Sequence, residues 1–230
     1  VEGHHRDLGE SLDRTAAALV GAAAMVGFRV IRPKDVASAV DVDTLVLLLG
    51  MMLLAAYLTR AGFFRATAYQ VLKHSKTPRG LLLALVVISG LLSAFLVNDT
   101  VCLVLTPLVL TLVKEAELPP LPYLLALAMS ANAGSSATFT GNPQNMIIGV
   151  ASRLPYAQFI GFMALPALLS MGIVYGVLIF TFGRALPTRS IHPEGHPPRI
   201  ERRLLTICSV ALAGIVIAFF AGLPMSWSAL

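Results

Sequence analysis

Charge is what this chain has least of. Only 13% of its 230 residues are Asp, Glu, Lys or Arg, roughly half of the ~25% found in soluble domains. With 57% hydrophobic residues and a mean hydropathy of +0.80, so little charge leaves apolar surface that water does not solvate. Cysteine is scarce as well. Cys102 and Cys208 both sit inside apolar runs, which suggests no disulfide framework and no metal-ligand spacing. All five histidines (His4, His5, His74, His192 and His196) lie outside those runs. HExxH, GxSxG and P-loop patterns are missing too. No nucleophile-base set or metal cluster sits at membrane depth, so an enzyme is the least supported class, and no cofactor is expected. Aromatics contribute just 7%. The apolar excess is therefore aliphatic, mostly Leu, Ala and Val, as in lipid-facing helices.

What charge there is leans positive, with a formal net of +5. Its distribution argues against a nucleic-acid partner. Of 17 Lys and Arg residues, five fall at Arg60, Arg65, Lys73, Lys76 and Arg79, and five at Arg184, Arg189, Arg199, Arg202 and Arg203. Each group lies between apolar runs, as cytoplasmic loops do under the positive-inside rule.

A spanning helix needs roughly 20 mostly apolar residues, because the hydrocarbon core is about 30 Å thick. Candidate runs are Thr15–Ile31, Thr44–Leu58, Gly80–Val97, Val101–Val113, Leu121–Ala151, Tyr156–Phe182 and Leu204–Leu223. The first is no good signal peptide, because Asp7, Glu10 and Asp13 dilute its basic flank. Period-2 alternation is absent, so the fold class is an all-α integral membrane bundle rather than a barrel. With both basic loops in the cytoplasm, the chain crosses an even number of times between them. A hairpin over about 80–113 goes in and returns, a broken helix over about 121–152 crosses outward, and Tyr156–Phe182 crosses back. The N-terminus is then cytoplasmic, in a multi-pass protein of the plasma or inner membrane. The expected divisions are a cytoplasmic segment 1–14, a first transporter repeat 15–183, a basic cytoplasmic loop 184–203, and 204–230 as the start of a second half. Residue 1 is Val and the chain stops just after an apolar run, so both ends look cut.

Two polar stretches break the apolar pattern. The first is Asn98-Asp99-Thr100. A carboxylate at bilayer depth costs roughly 2.5–3.5 kcal/mol on insertion scales, so Asp99 calls for a partner or a water-filled cavity. The run after it, Val101–Val113, reaches only about 20 Å as a helix, which favours a buried hairpin tip over a surface turn. The second stretch runs from Ala131 through Asn132, Gly134, Ser135, Ser136, Thr138, Thr140, Gly141 and Asn142 to Asn145. Pro143 removes a donor there and restricts Asn142, while Gly134 and Gly141 allow conformations that a helix excludes. Ser, Thr and Asn side chains satisfy freed backbone groups or coordinate an ion, and a half-helix N-terminus at Gln144 attracts anions. As a surface loop, the same stretch leaves halves too short to span. Thr106-Pro107 only shapes the hairpin, and Cys102 reads as a small apolar filler rather than a ligand.

Val97 to Pro107 and Asn132 to Asn145 resemble the two signature segments of the ion transporter superfamily. More narrowly, they resemble its arsenite-permease, citrate-transporter-like and P-protein branch. The run Asp41 to Met52 is similar to that branch's early helix, so the resemblance covers about Asp41 to Phe182. It implies two inverted repeats, each giving a re-entrant hairpin and a broken helix whose tips meet near the midplane and bind substrate and coupling ion. On that basis Asn98, Asp99 and Thr100 form the hairpin tip, and Gly134 to Asn145 the unwound link. Dicarboxylate carriers of the superfamily have Ser-Asn-Thr at the tip where this chain has Asn98-Asp99-Thr100. Dicarboxylate and Na⁺ therefore do not carry over with the resemblance. One hairpin and one broken helix are present, as in the N-terminal half of such a transporter.

The function this implies is secondary active transport of an anion or oxyanion: arsenite, an inorganic anion or a small carboxylate. Asp99 would bind a coupling cation such as Na⁺ or take up H⁺, because an ionised carboxylate repels an anionic substrate. The expected partners are the lipid bilayer, the small anion, and a second repeat or a homodimer partner. A passive channel is the alternative.

Overall fold

The computed structural model describes residues 14–152, 154–187 and 199–223. Segment 1–13 and most of the basic loop 184–203 lie outside them, as do 224–230. Among the described residues there is no strand. Two units form, Val1–Val42 and Asp43–Leu230.

The first unit carries helix α1 (Arg14–Gly27), a short 3-10 turn (Pro33–Asp35) and the four-residue helix α2 (Val36–Ala39). The first expected span therefore ends four residues early. Arg29 takes a left-handed φ of 57°, and Val30 N–H donates to Met25 O at 2.9 Å while Arg29 N–H donates to Val26 O at 3.0 Å. That is a Schellman stop. The 14 residues of α1 reach about 21 Å, short of the hydrocarbon thickness.

The second unit holds α3 (Val42–Arg60), α4 (Phe63–His74), α5 (Pro78–Phe95), α6 (Asn98–Glu115), α7 (Pro120–Ser135), α8 (Pro143–Ser152), α9 (Tyr156–Phe182) and α10 (Arg202–Phe220). Helices α3, α5, α9 and α10 are long and apolar enough to cross a membrane. Their outer faces carry bare aliphatic and aromatic side chains, including Phe180, 91% exposed, and Ile217, 68% exposed. Such faces belong in hydrocarbon.

Four contacts set the directions. Tyr123 Oη, in the first turn of α7, donates to Pro78 O in the first turn of α5 at 3.1 Å. Ser89 and Ser130 meet midway at 2.5 Å. Thr138, just past α7, donates to Ala94 O at the far end of α5. Helices α5 and α7 therefore run side by side and parallel. Helix α6 starts at that far end, where Asn98 N–H donates to Gly141 O at 2.9 Å. It ends five residues before α7 begins, so it returns to the level it left. The α5–α6 pair is a hairpin with its tip against the α7–α8 link.

The seam between α5 and α7 is built from small residues. A Cβ on Gly134 would lie 2.2 Å from Gly90 O, so the two backbones are in direct contact. Small residues serve helix association in lipid this way, where no hydrophobic force draws helices together.

The described ends of the second basic stretch lie against the first. Arg79 donates to Gly183 O at 3.2 Å, and Glu201 N–H donates to Ala61 O at 3.1 Å. The loop groups that the positive-inside rule puts in one compartment are neighbours in the fold.

Candidate functional site

Four helix ends converge where the hairpin tip meets the link: the C-termini of α5 and α7 and the N-termini of α6 and α8. A helix end leaves backbone groups without intrahelical partners, and here polar side chains reach several of them. Thr138 and Thr140 both point their hydroxyls at Ala94 O, capping α5. Asn145 Nδ2 reaches Thr138 O at 2.9 Å, Ser135 O at 3.3 Å and Ser136 O at 3.4 Å, which holds the end of α7 and the link together. Asn142 caps α8, its Oδ1 accepting from Asn145 N–H at 2.8 Å while its Nδ2 donates to Ser135 Oγ at 3.2 Å. Ser135 and Ser136 in turn donate to Asn132 O at 2.9 Å and Ala133 O at 2.7 Å.

The unwound link is Ser136–Asn142, shorter at both ends than Gly134–Asn145. Gly134 lies within α7, and neither it nor Gly141 has a positive φ. Their role is close approach rather than left-handed backbone, because a Cβ on Gly141 would sit 2.1 Å from Ser135 O.

The tip differs from the expected loop. Helix α6 begins at Asn98, so Asn98, Asp99 and Thr100 are its first turn and the break falls at Leu96-Val97. Asp99 suits that place, since a carboxylate near a helix N-terminus opposes the dipole favourably. Helix α6 thus has 18 residues and reaches about 27 Å, not the 20 Å its apolar run suggests. The length of the arm no longer argues for a buried tip. Contact with the link does so instead.

Asn98 is buried and donates from Nδ2 to Asn132 Oδ1 at 2.8 Å. Its own Oδ1 is a buried acceptor with no partner among the described residues. Asn132 is exposed, and its side-chain oxygen is occupied by that bond. Asp99 is exposed and its carboxylate makes no hydrogen bond or ion pair among the described residues. Thr100 is half-buried beside it. The N-cap residue of α6, Val97, offers no side-chain hydrogen bond, so the N–H groups of Asp99 and Thr100 face outward unpaired by the helix.

The fold therefore joins the two expected polar segments into one site. It also enlists Ser89, Gly90, Ser93 and Ser130, which sequence reasoning passed over. Ser89 and Ser130 are fully buried, and Ser93 Oγ is buried without a partner among the described residues. Their signal was present as small residues four apart on each helix, Ser89/Ser93 and Ser130/Gly134.

The architecture is that of a multi-span α-helical membrane protein with a hairpin tip packed on a broken helix. Residues 8–230 match the citrate transporter family (CitMHS), and the chain belongs to it. It is 41% identical over 184 residues to the silicon efflux transporter of Oryza sativa subsp. japonica, a match covering 80% of this chain and 38% of that protein. It is 35% identical over 175 residues to a putative transporter, arsB, of Dictyostelium discoideum, covering 76% of this chain and 31% of that one. An uncharacterized transporter of Mycobacterium tuberculosis is 31% identical over 231 residues, 96% of this chain and 54% of its own length. The chain thus spans about a third to a half of these relatives. The family and these relatives are named as transporters, not as enzymes.

Proposed function

We propose that the chain forms one half of a secondary active transporter for an anion or oxyanion, with Asp99 handling the coupling proton or cation. One observation carries this reading: a carboxylate with no partner among the described residues stands on the first turn of α6, where helix N–H donors are open. The N–H groups of Asp99 and Thr100, and that of Gln144 in the first turn of α8, favour an anion. Ionised Asp99 repels the same anion, so proton uptake or cation binding at Asp99 favours substrate entry. The orphan Asn98 Oδ1, one residue away, supports a cation or proton arriving at this level. Asn98, Asp99, Thr100 and Asn132 form the working rim. Ser135, Ser136, Thr138, Thr140, Gly141, Asn142 and Asn145 hold its shape. Exposure of Asp99 and Asn132 leaves the rim open on one side, to be closed by a second repeat or a homodimer partner. The relative named for silicon points to the oxyacids and their anions, with arsenite, other inorganic anions and small carboxylates as candidates.

The decisive experiment reconstitutes the full-length protein in vesicles with Asp99→Asn, which keeps the side chain's shape and removes its titration. Gradient-driven uptake is lost while substrate exchange persists. Unchanged uptake overturns the coupling role, and flux independent of any gradient identifies a passive pore. We place the protein in the cell membrane with its N-terminus and both basic loops cytoplasmic. An exposed cysteine at Lys76→Cys, with Cys102 and Cys208 replaced, reacts with impermeant reagents only from the inside. Labelling from outside intact cells contradicts that orientation.

A further inference from the structure

Away from the tip, at the basic face, α4 and the start of α5 enclose an open groove of about 690 Å³. This is within the range of small-molecule sites, ~300–1,000 Å³. Its floor is apolar: Val71 from α4, then Leu83, Ala84, Val87 and Ile88 from α5. Gly80, Ala84 and Ile88 stand four apart, as do Leu83 and Val87, so the wall follows one face of α5 for about 12 Å. Its rim is polar, with Gln70, His74, Lys76 and Thr77.

Of the residues lining the groove Lys76 alone carries a formal charge, and the stretch it belongs to is one-signed. From Arg60 to Arg79 the sequence holds five Lys and Arg residues and no acid. Lys73, His74 and Lys76 are exposed. The N-terminus of α5 is not itself the attraction, because Thr77 Oγ1 already accepts from Gly80 N–H at 3.1 Å. At its deep end the groove opens onto an exposed apolar stripe, Leu83, Val87 and Leu91, 44%, 39% and 51% exposed. A lysine in a one-signed stretch, beside an apolar wall that runs along the membrane-spanning helix α5, is an amphipathic mould.

We propose that this groove is a binding site for an anionic phospholipid, its phosphate headgroup held by Lys76 and its neighbours and one acyl chain laid along Leu83 and Val87. Basic pockets between helices at this kind of surface hold anionic headgroups in preference to zwitterionic ones. A free anion satisfies the rim and leaves the apolar wall wet. An uncharged lipid covers the wall and leaves the cations unanswered. Only the anionic lipid matches both.

Thermal melting of the full-length protein in detergent tests this, with phosphatidylglycerol, phosphatidylcholine or inorganic phosphate added. Phosphatidylglycerol raises Tm well beyond phosphatidylcholine, and phosphate alone leaves it unchanged. Lys76→Glu, a surface change, weakens the phosphatidylglycerol response about fivefold or more without altering Tm in lipid-free detergent. Leu83→Asn weakens the response to both lipids. Equal responses to the two lipids, or a phosphatidylglycerol preference intact in Lys76→Glu, overturn the proposal. So does stabilisation by phosphate alone, which marks a free-anion site, or no lipid response at all, which marks a groove covered by protein.

Discussion

The link Ser136–Asn142 and the hairpin tip Leu96–Thr100 look alike in sequence, each a polar break between apolar helices, yet they use their polar groups in opposite ways. In the link and the first turn of α8, polar side chains turn inward to backbone carbonyls and to each other: Thr138 and Thr140 to Ala94 O, Asn145 to three oxygens, Asn142 to the start of α8. At the tip, Asn98 alone is tied in, through Asn132 and Gly141, while Asp99 stays exposed and unpaired among the described residues. In a bilayer an open helix end is tolerated only when something satisfies it. The link does so with its own side chains. The tip leaves the task to whatever enters.

The contrast is broken most severely at the seam that brings the two regions together. Gly134→Leu forces a side chain into the Gly90 backbone. Overpacking of this kind costs about 3 kcal/mol or more, and the expected outcome is loss of folded protein by size-exclusion chromatography in detergent. Asn145→Ala comes next. It strips the donor from Thr138 O, Ser135 O and Ser136 O, at about 1–3 kcal/mol for buried groups left unsatisfied. A Tm lowered by several degrees checks it. Thr138→Val keeps the shape and removes one donor to Ala94 O. Since Thr140 still reaches that oxygen at 3.4 Å, about 0.6 kcal/mol is expected, typical of interhelical hydrogen bonds in membranes. A Thr138→Val loss as large as that of Asn145→Ala would mean that Thr140 does not share the load.

Much of this was legible in the residues. Aliphatic runs with few charges announce membrane helices, and the described ends of the second basic stretch meet the first through the bonds from Arg79 to Gly183 and from Glu201 to Ala61. Hydropathy marks the end of an apolar run but not the end of a helix. Asn98, Asp99 and Thr100 are polar and so read as a loop, yet they make a good first turn for α6, and that adds the length the apolar count missed. Gly134 and Gly141 announced themselves as special without saying why. The reason lies in Gly90 O and Ser135 O, contacts that no local pattern encodes. Asn145 looked like a ligand because an amide suits both substrate and backbone. Its three carbonyl partners come from the fold, and no local pattern encodes them.

The account holds that the link maintains shape and the tip does the coupling. The most direct test pairs Asp99→Asn with Asn145→Ala in the full-length protein, measuring Tm and proton-gradient-driven uptake on the same preparations. Asp99→Asn is expected to keep the wild-type Tm and lose driven uptake while exchange continues. Asn145→Ala is expected to lower Tm by several degrees while the fraction that remains folded still responds to the gradient. The reverse pattern, a destabilised Asp99→Asn that still couples or a stable Asn145→Ala that does not, contradicts the division of labour between tip and link.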